Sequence, residues 1–395
     1  MGSAVTRRRL IAGGAAAVAA GAALSQSGSA QSATVGGFGT ATEPFHGDHQ
    51  SGVLTAPQAH SWFVALDLAE VPGRSPRDAL QAILRLWTAD AARLTQGIPA
   101  LADTEPELAQ RPSRLTVTVG MGSALFDRVG LGGLRPPSVR ELPGFPTDRL
   151  DPRWCGGDLL LHVGADDPMV VAHAGRVLLK NVRSMTTPRW RQTGFRNAYG
   201  ANRPGGTMRN LMGQVDGTVN PTDPDRHVWD HGDAQRWFAG GTVLVVRRIR
   251  AELDTWDELD RAGRELVIGR RIANGAPLTG QQEFDEPDLT ATVGGIPVIP
   301  PNSHVALARP VTDDERFLRR PYNFDDPPPP GRTTDSGLIF ATYQRDPAIQ
   351  FVPVQRRLAA ADAFNRWITT IGSAVFAVLP GAREGGYLGQ SLLES

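Results

Sequence analysis

Ser61-Trp62-Phe63-Val64-Ala65-Leu66-Asp67-Leu68 is a short apolar and aromatic run of the kind that forms a buried strand. Shortly after it, Ser75-Pro76 has the form of a helix start, serine as N-cap and proline at the first helical position. Leu80, Ile83, Leu84 and Trp87 then fall at i, i+3, i+4 and i+7, one apolar face of an amphipathic helix. Residues 115–119 alternate as a second strand, 158–163 give a third, and 168–179 a second helix. The order repeats downstream. Residues 242–250 read as a strand, 255–262 as helical, and 304–308 and 338–344 as strands. A last long helix is expected to carry Phe364, Trp367, Ile368, Ile371 and Val375 on one face. Strand–helix–strand–strand–helix–strand twice over is the ferredoxin-like pattern in duplicate. The expected fold class is α+β: two ferredoxin-like domains, 34–212 and 213–395, with antiparallel sheets and helices on one face of each.

Composition narrows the function. The 395 residues carry 41 basic and 41 acidic side chains, a formal net charge of zero, and 41% are apolar. That mix builds a large core and argues against both intrinsic disorder and a polycationic nucleic-acid binder. A single cysteine, Cys155, rules out an internal disulfide framework and any multi-thiolate metal site. Beyond the N-terminus no run approaches the ~18 consecutive apolar residues of a membrane span, so the mature chain is expected to lack a transmembrane anchor.

The N-terminus reads as an address. Thr6-Arg7-Arg8-Arg9-Leu10-Ile11 precedes a weakly apolar Ala/Gly run over 12–24, and Gly28-Ser29-Ala30 supplies small residues for cleavage, after Ala30 or Ala33. The paired arginines resemble a twin-arginine (Tat) signal over residues 1–33, which implies the Tat machinery as a partner and a destination outside the cell or in its envelope or periplasm. Tat export carries folded proteins, often with a cofactor already in place.

Several motifs carry little. Gly120-Met121-Gly122 lacks the third glycine of a dinucleotide fingerprint, and Lys180 lacks the glycines of a phosphate loop. Cys155 has neither a CxxC partner nor a nearby base and reads as a structural thiol. His46-Gly47-Asp48-His49 crowds three metal-type ligands into four residues, which suits a structural loop better than a metal site.

The informative stretch is Asn210-Leu211-Met212-Gly213-Gln214-Val215-Asp216-Gly217-Thr218-Val219-Asn220-Pro221, where glycines flank one aspartate and leave its carboxylate room for a ligand. Alone it is an Asp-Gly turn. It is accompanied, however, by Phe45–Gly52, by Gly269-Arg270 through Gly275-Ala276-Pro277-Leu278, and by Asn302-Ser303-His304-Val305. Phe317–Phe324, Tyr343–Pro347, Phe351–Leu358 and Gly385-Gly386-Tyr387 follow in order. In this order the set resembles the dye-decolourising-type (DyP) haem peroxidases, most closely their exported, Tat-dependent branch, from about residue 45 to 392.

The resemblance implies haem b, one per chain, in a cavity of the C-terminal half. It implies Asp216 as the distal acid–base residue, His304 as the ligand to iron, and Arg319 as the distal arginine, with Arg320 the alternative. Gly217, Thr218 and Asn220 would border the cofactor. Ala306 stands where relatives often carry a basic residue, so Arg309 is the candidate for contact with a haem propionate; Gln214 and Val215 replace a common Phe-Lys. The second ring nitrogen of an iron-bound imidazole needs an acceptor, for which Asp313, Asp314 and Glu315 are candidates, Asp314 first. Hydrogen peroxide and aromatic reductants are the implied partners, with bulky dyes oxidised through surface Trp or Tyr. A carboxylate base, unlike an imidazole, stays ionised in acid, so an acidic optimum is expected. Iron release from haem and non-catalytic haem carriage are the alternatives, and monomer and homo-oligomer are both left open.

Overall fold

A computed structural model describes residues 37–202 and 206–394, and the signal-like segment 1–33 lies outside them. The described residues from Phe38 onward form one compact unit. Its first half runs β1 (His60–Leu68), α1 (Pro76–Leu94), β2 (Thr116–Gly122), β3 (Leu159–Ala165), α2 (Pro168–Val182) and β4 (Thr186–Phe195). Ser75 caps α1 as expected: its Oγ accepts the Asp78 N–H at 3.1 Å.

The second half runs β5 (Thr242–Ala251), α3 (Arg261–Ile268), α4 (His304–Ala308), β6 (Leu318–Arg319), β7 (Tyr322–Asp326), β8 (Asp335–Gln344), α5 (Phe351–Ala361) and β9 (Ile368–Val378). Three expectations are corrected. Residues 255–262 are not one helix but straddle the end of a short helix, Leu253–Trp256, a non-helical 257–260 and the start of α3. His304–Ala308 is a short helix rather than a strand. The supposed last long helix is a 3₁₀ turn, Ala363–Arg366, followed by strand β9.

Duplication shows in the topology. The first half pairs in the order β4–β1–β3–β2, and the second in the matching order β9–β5–β8–β7, antiparallel throughout. The halves then join. Gly120–Gly122 of β2 pairs with Phe376–Val378 of β9, and Asn323 of β7 meets Phe195 of β4. One nine-stranded sheet results, closed into a ring by the pairing of β8 with β5, which leaves few unpaired strand edges.

Closure explains the continuous apolar run in β1. Val64, Leu66 and Leu68 face α1 and α2 in the larger core, alongside Leu80, Ile83, Leu84 and Trp87. Phe63 and Ala65 join a second core with Leu160, Tyr322, Ile339 and Phe376, from the opposite face of the strands. Both faces of the strand are buried, so hydrophobicity does not alternate. In the second half the outer face of the sheet is left open to a cavity beneath α4 and α5.

Candidate active site

The cavity has a volume of about 440 Å³, within the usual range for a cofactor site. Ile249 and Ala251 of β5, Leu338 and Phe340 of β8, and Ile368 of β9 form part of its wall. Val305, Leu358, Met212 and Phe364 extend the apolar surface. Asp216, Gly217, Thr218, Asn220, His304, Arg309 and Arg319 all line it; Arg320 does not.

His304 opens α4. Its Nδ1 lies 2.6 Å from Oδ2 of Asp362, a carboxylate only 5% exposed. The other oxygen of Asp362 accepts the Phe364 N–H at 2.9 Å, so one aspartate caps the 3₁₀ turn and orients the imidazole. With Nδ1 committed, Nε2 is the ring nitrogen left for a ligand, as in metal-bound imidazoles backed by a carboxylate. The acceptor is therefore Asp362 and not Asp314. Asp313 is held by Arg226 and Arg316, Glu315 by Arg357, and Asp314 is exposed. Asp362 lies 58 residues from His304; its only local signal in sequence is an N-cap aspartate after an Ala-rich helix.

Asp216 ends a two-residue strand, Val215–Asp216, paired with Met208–Arg209, in a hairpin braced by its neighbours. Asn210 Oδ1 accepts the N–H groups of Met212 and Gln214, both at 3.1 Å, and the Asn210 N–H donates to Gln214 O at 2.9 Å. Gly217 has φ +115°, a backbone that side-chain-bearing residues rarely adopt, so the turn after Asp216 needs its glycine. Asn210 Nδ2 donates to Asp216 Oδ2 at 3.2 Å, and Arg319 Nη1 stands 3.6 Å from Asp216 Oδ1. The structure thus brings the distal carboxylate and arginine of the motif reading together. Their neighbour Arg270 has its guanidinium pKa lowered by burial and by the charge of Arg319.

The remaining candidates have specific occupations. Thr218 Oγ1 donates to Glu283 at 2.9 Å, and Arg309 pairs with Glu286. Asn220 bonds the main chain of Arg319. Arg320, 2% exposed, turns into the ring of strands and bonds Thr55 O and Gln58 Oε1. Arg319 and Arg320 are neighbours on a strand end, so their side chains take opposite faces. Glu283 and Asp362 were not legible as site residues, because each acts through contacts remote in sequence.

Two family models match the chain, "Dyp-type peroxidase, N-terminal" over residues 50–196 and "Dyp-type peroxidase, C-terminal" over 207–383. The chain belongs to the DyP-type peroxidase family. A dye-decolorizing peroxidase of Thermobifida fusca (strain YX) is 45% identical, over 87% of this chain and 84% of its own. A deferrochelatase of Yersinia pestis is 36% identical, over 99% and 95%. The crystal structure of a DyP-type peroxidase from Cellulomonas bogoriensis superposes with a TM-score of 0.88 at 52% identity, covering 91% of this chain and all of that one. For a DyP-type peroxidase the cavity residues suit haem: an apolar slot, an imidazole with one nitrogen free, and a carboxylate and guanidinium on the same cavity.

Proposed function

We propose that this DyP-type peroxidase uses haem b to reduce hydrogen peroxide and oxidise aromatic, dye-like donors, with His304 as ligand and Asp216 and Arg319 as the distal pair. The observation that carries the reading is the convergence of these three side chains on one apolar cavity. When bound, haem would supply the redox chemistry that couples the two-electron reduction of peroxide to oxidation of the donors.

The chain's own groups do the rest. Asp362 accepts the Nδ1 proton of His304, which fixes the tautomer and makes Nε2 the electron-rich donor. The Asp216 carboxylate takes a proton from one oxygen of hydrogen peroxide and delivers it to the other, which leaves as water. Arg319 stabilises the negative charge on the departing oxygen. Overall, one peroxide, two electrons and two protons from the donors give two waters. Export through a Tat-type signal in residues 1–33, to the envelope or beyond, belongs to the same reading.

The test is peroxide turnover by Asp216→Ala and Arg319→Leu. Each is expected to fall by about 10²-fold or more while haem content stays at one per chain. Full activity in both variants would remove the assignment. The deferrochelatase relatives favour one second reading, release of iron from haem. Recovery of iron-free porphyrin from the holoprotein under reducing conditions would support it; intact haem would exclude it.

A further inference from the structure

We propose that Asn220 is a positioning residue that sets the separation between Arg319 and Asp216 by holding the Arg319 main chain. The inference rests on the assignment of those two residues as the distal pair.

Arg319 lies on β6, which pairs with β8 on one side only, Leu318 with Tyr343 and Arg319 with Thr342. The Arg320 N–H reaches Ala341 O on β8, whereas the N–H and C=O of Arg319 face away from that strand. Asn220 supplies their partners. Its Oδ1 accepts the Arg319 N–H at 2.8 Å, and its Nδ2 donates to Arg319 O at 3.1 Å. A carboxamide offers the same donor and acceptor as a peptide group, so Asn220 stands in for a missing strand. Carboxylate, hydroxyl and methyl side chains cannot make both bonds from this position.

Asn220 is only four residues after Asp216, in the loop that follows it. The Val219 carbonyl between them accepts from Arg319 Nη2 at 3.3 Å. Main chain and guanidinium are therefore both tied to the segment that carries the carboxylate. The resulting Nη1–Oδ1 distance is 3.6 Å, longer than the roughly 2.7–2.9 Å of a closed, charge-assisted bond. Neither group is fully committed to the other, and both keep capacity for a peroxide oxygen. Released from Asn220, the opposite charges are free to close on each other or separate, and either movement spoils the alignment on which proton transfer depends.

The experiment compares wild-type holoenzyme with Asn220→Ala, Asn220→Asp, Arg319→Leu and the Asn220→Ala/Arg319→Leu double variant. It reads kcat/KM for hydrogen peroxide across the acid range, together with haem content and the absorption spectrum. Asn220→Ala is expected to lower kcat/KM by about 10- to 100-fold and to change the pH profile, with haem content unchanged. Asn220→Asp, isosteric and still able to accept the Arg319 N–H, is expected to lose as much and serves as the test variant if the alanine protein fails to retain haem. Added to Arg319→Leu, the Asn220 substitution should cause no further loss. Wild-type kinetics in both Asn220 variants, or independent, multiplying losses in the double variant, would overturn the inference alone. Wild-type kinetics in Arg319→Leu would overturn the distal pair and the inference together.

Discussion

Asp362 is the residue on which the cavity's imidazole depends. One of its oxygens caps a turn and the other accepts from His304, and burial leaves no water to replace either bond. Asp362→Asn is expected to retain the fold but to hold haem about 10- to 100-fold more weakly, measured as the rate of haem transfer to an excess of acceptor protein. Unchanged retention would mean that His304 needs no orienting partner. His304, Asp216 and Arg319 were legible as candidates because each sits in a recognisable local motif. Their supports were not, because a hydrogen-bond partner is chosen by the fold rather than by distance along the chain. Asp313, Asp314 and Glu315 are near His304 in sequence, yet arginines engage Asp313 and Glu315, and Asp314 lies exposed.

Helix α4 is held as much by a glycine as by its own residues. Gly269 ends α3 with φ +87°, its N–H bonding Glu265 O at 2.7 Å. A Cβ there would meet Val305 Cγ1 at 2.4 Å and Ser303 Oγ at 3.0 Å, both beside His304. Gly269→Ala is therefore expected to destabilise the protein by about 1–3 kcal/mol and to speed haem loss by displacing α4. A melting temperature and haem off-rate equal to wild type would show that α4 does not lean on this turn. Two of the misread elements have physical reasons as well. Five residues of helix are too few to show a period, and His304-Val305 alone suits a strand. Phe364, Trp367, Ile368, Ile371 and Val375 imitate helical spacing because β9 is apolar over much of its length and its register with β5 shifts between Thr370 and Gly372. Bulges of this kind break the two-residue alternation by which a strand is recognised. Strands β1, β3 and β5 were legible because dense apolar runs bounded by polar turns leave little alternative.

Closing two sheets into one ring places a polar cluster at the centre of the molecule, with consequences for stability in acid. His162 is 0% exposed and stacks on Phe63. Burial, reinforced by the charge of Arg320, holds its pKa well below the ordinary imidazole value. In the unfolded chain the same ring takes a proton near pH 6.5. Stability must then fall as pH drops below about 6.5, and it goes on falling until the folded pKa is reached. Glu252 and Glu315 add a second decline at lower pH. Burial pushes their carboxyl groups up, but bonds from Arg332 and Arg250, and from Arg357, outweigh it and leave both pKa values lowered. Their contribution is complete above the ordinary carboxylate range and is lost as pH falls below it. The urea midpoint is expected to drop between pH 7 and pH 5, and to drop less in His162→Gln. An identical pH dependence in that variant would place the acid sensitivity elsewhere.

The geometry around the cavity is tested most directly by the absorption spectrum of purified wild type, His304→Ala and Asp216→Ala proteins, before and after one equivalent of hydrogen peroxide. Wild type should show a Soret band that shifts with peroxide, Asp216→Ala the same band with the shift slowed by about 10²-fold or more, and His304→Ala a lost or displaced band. An unaltered band with an undiminished response in His304→Ala would mean that the cofactor is held elsewhere.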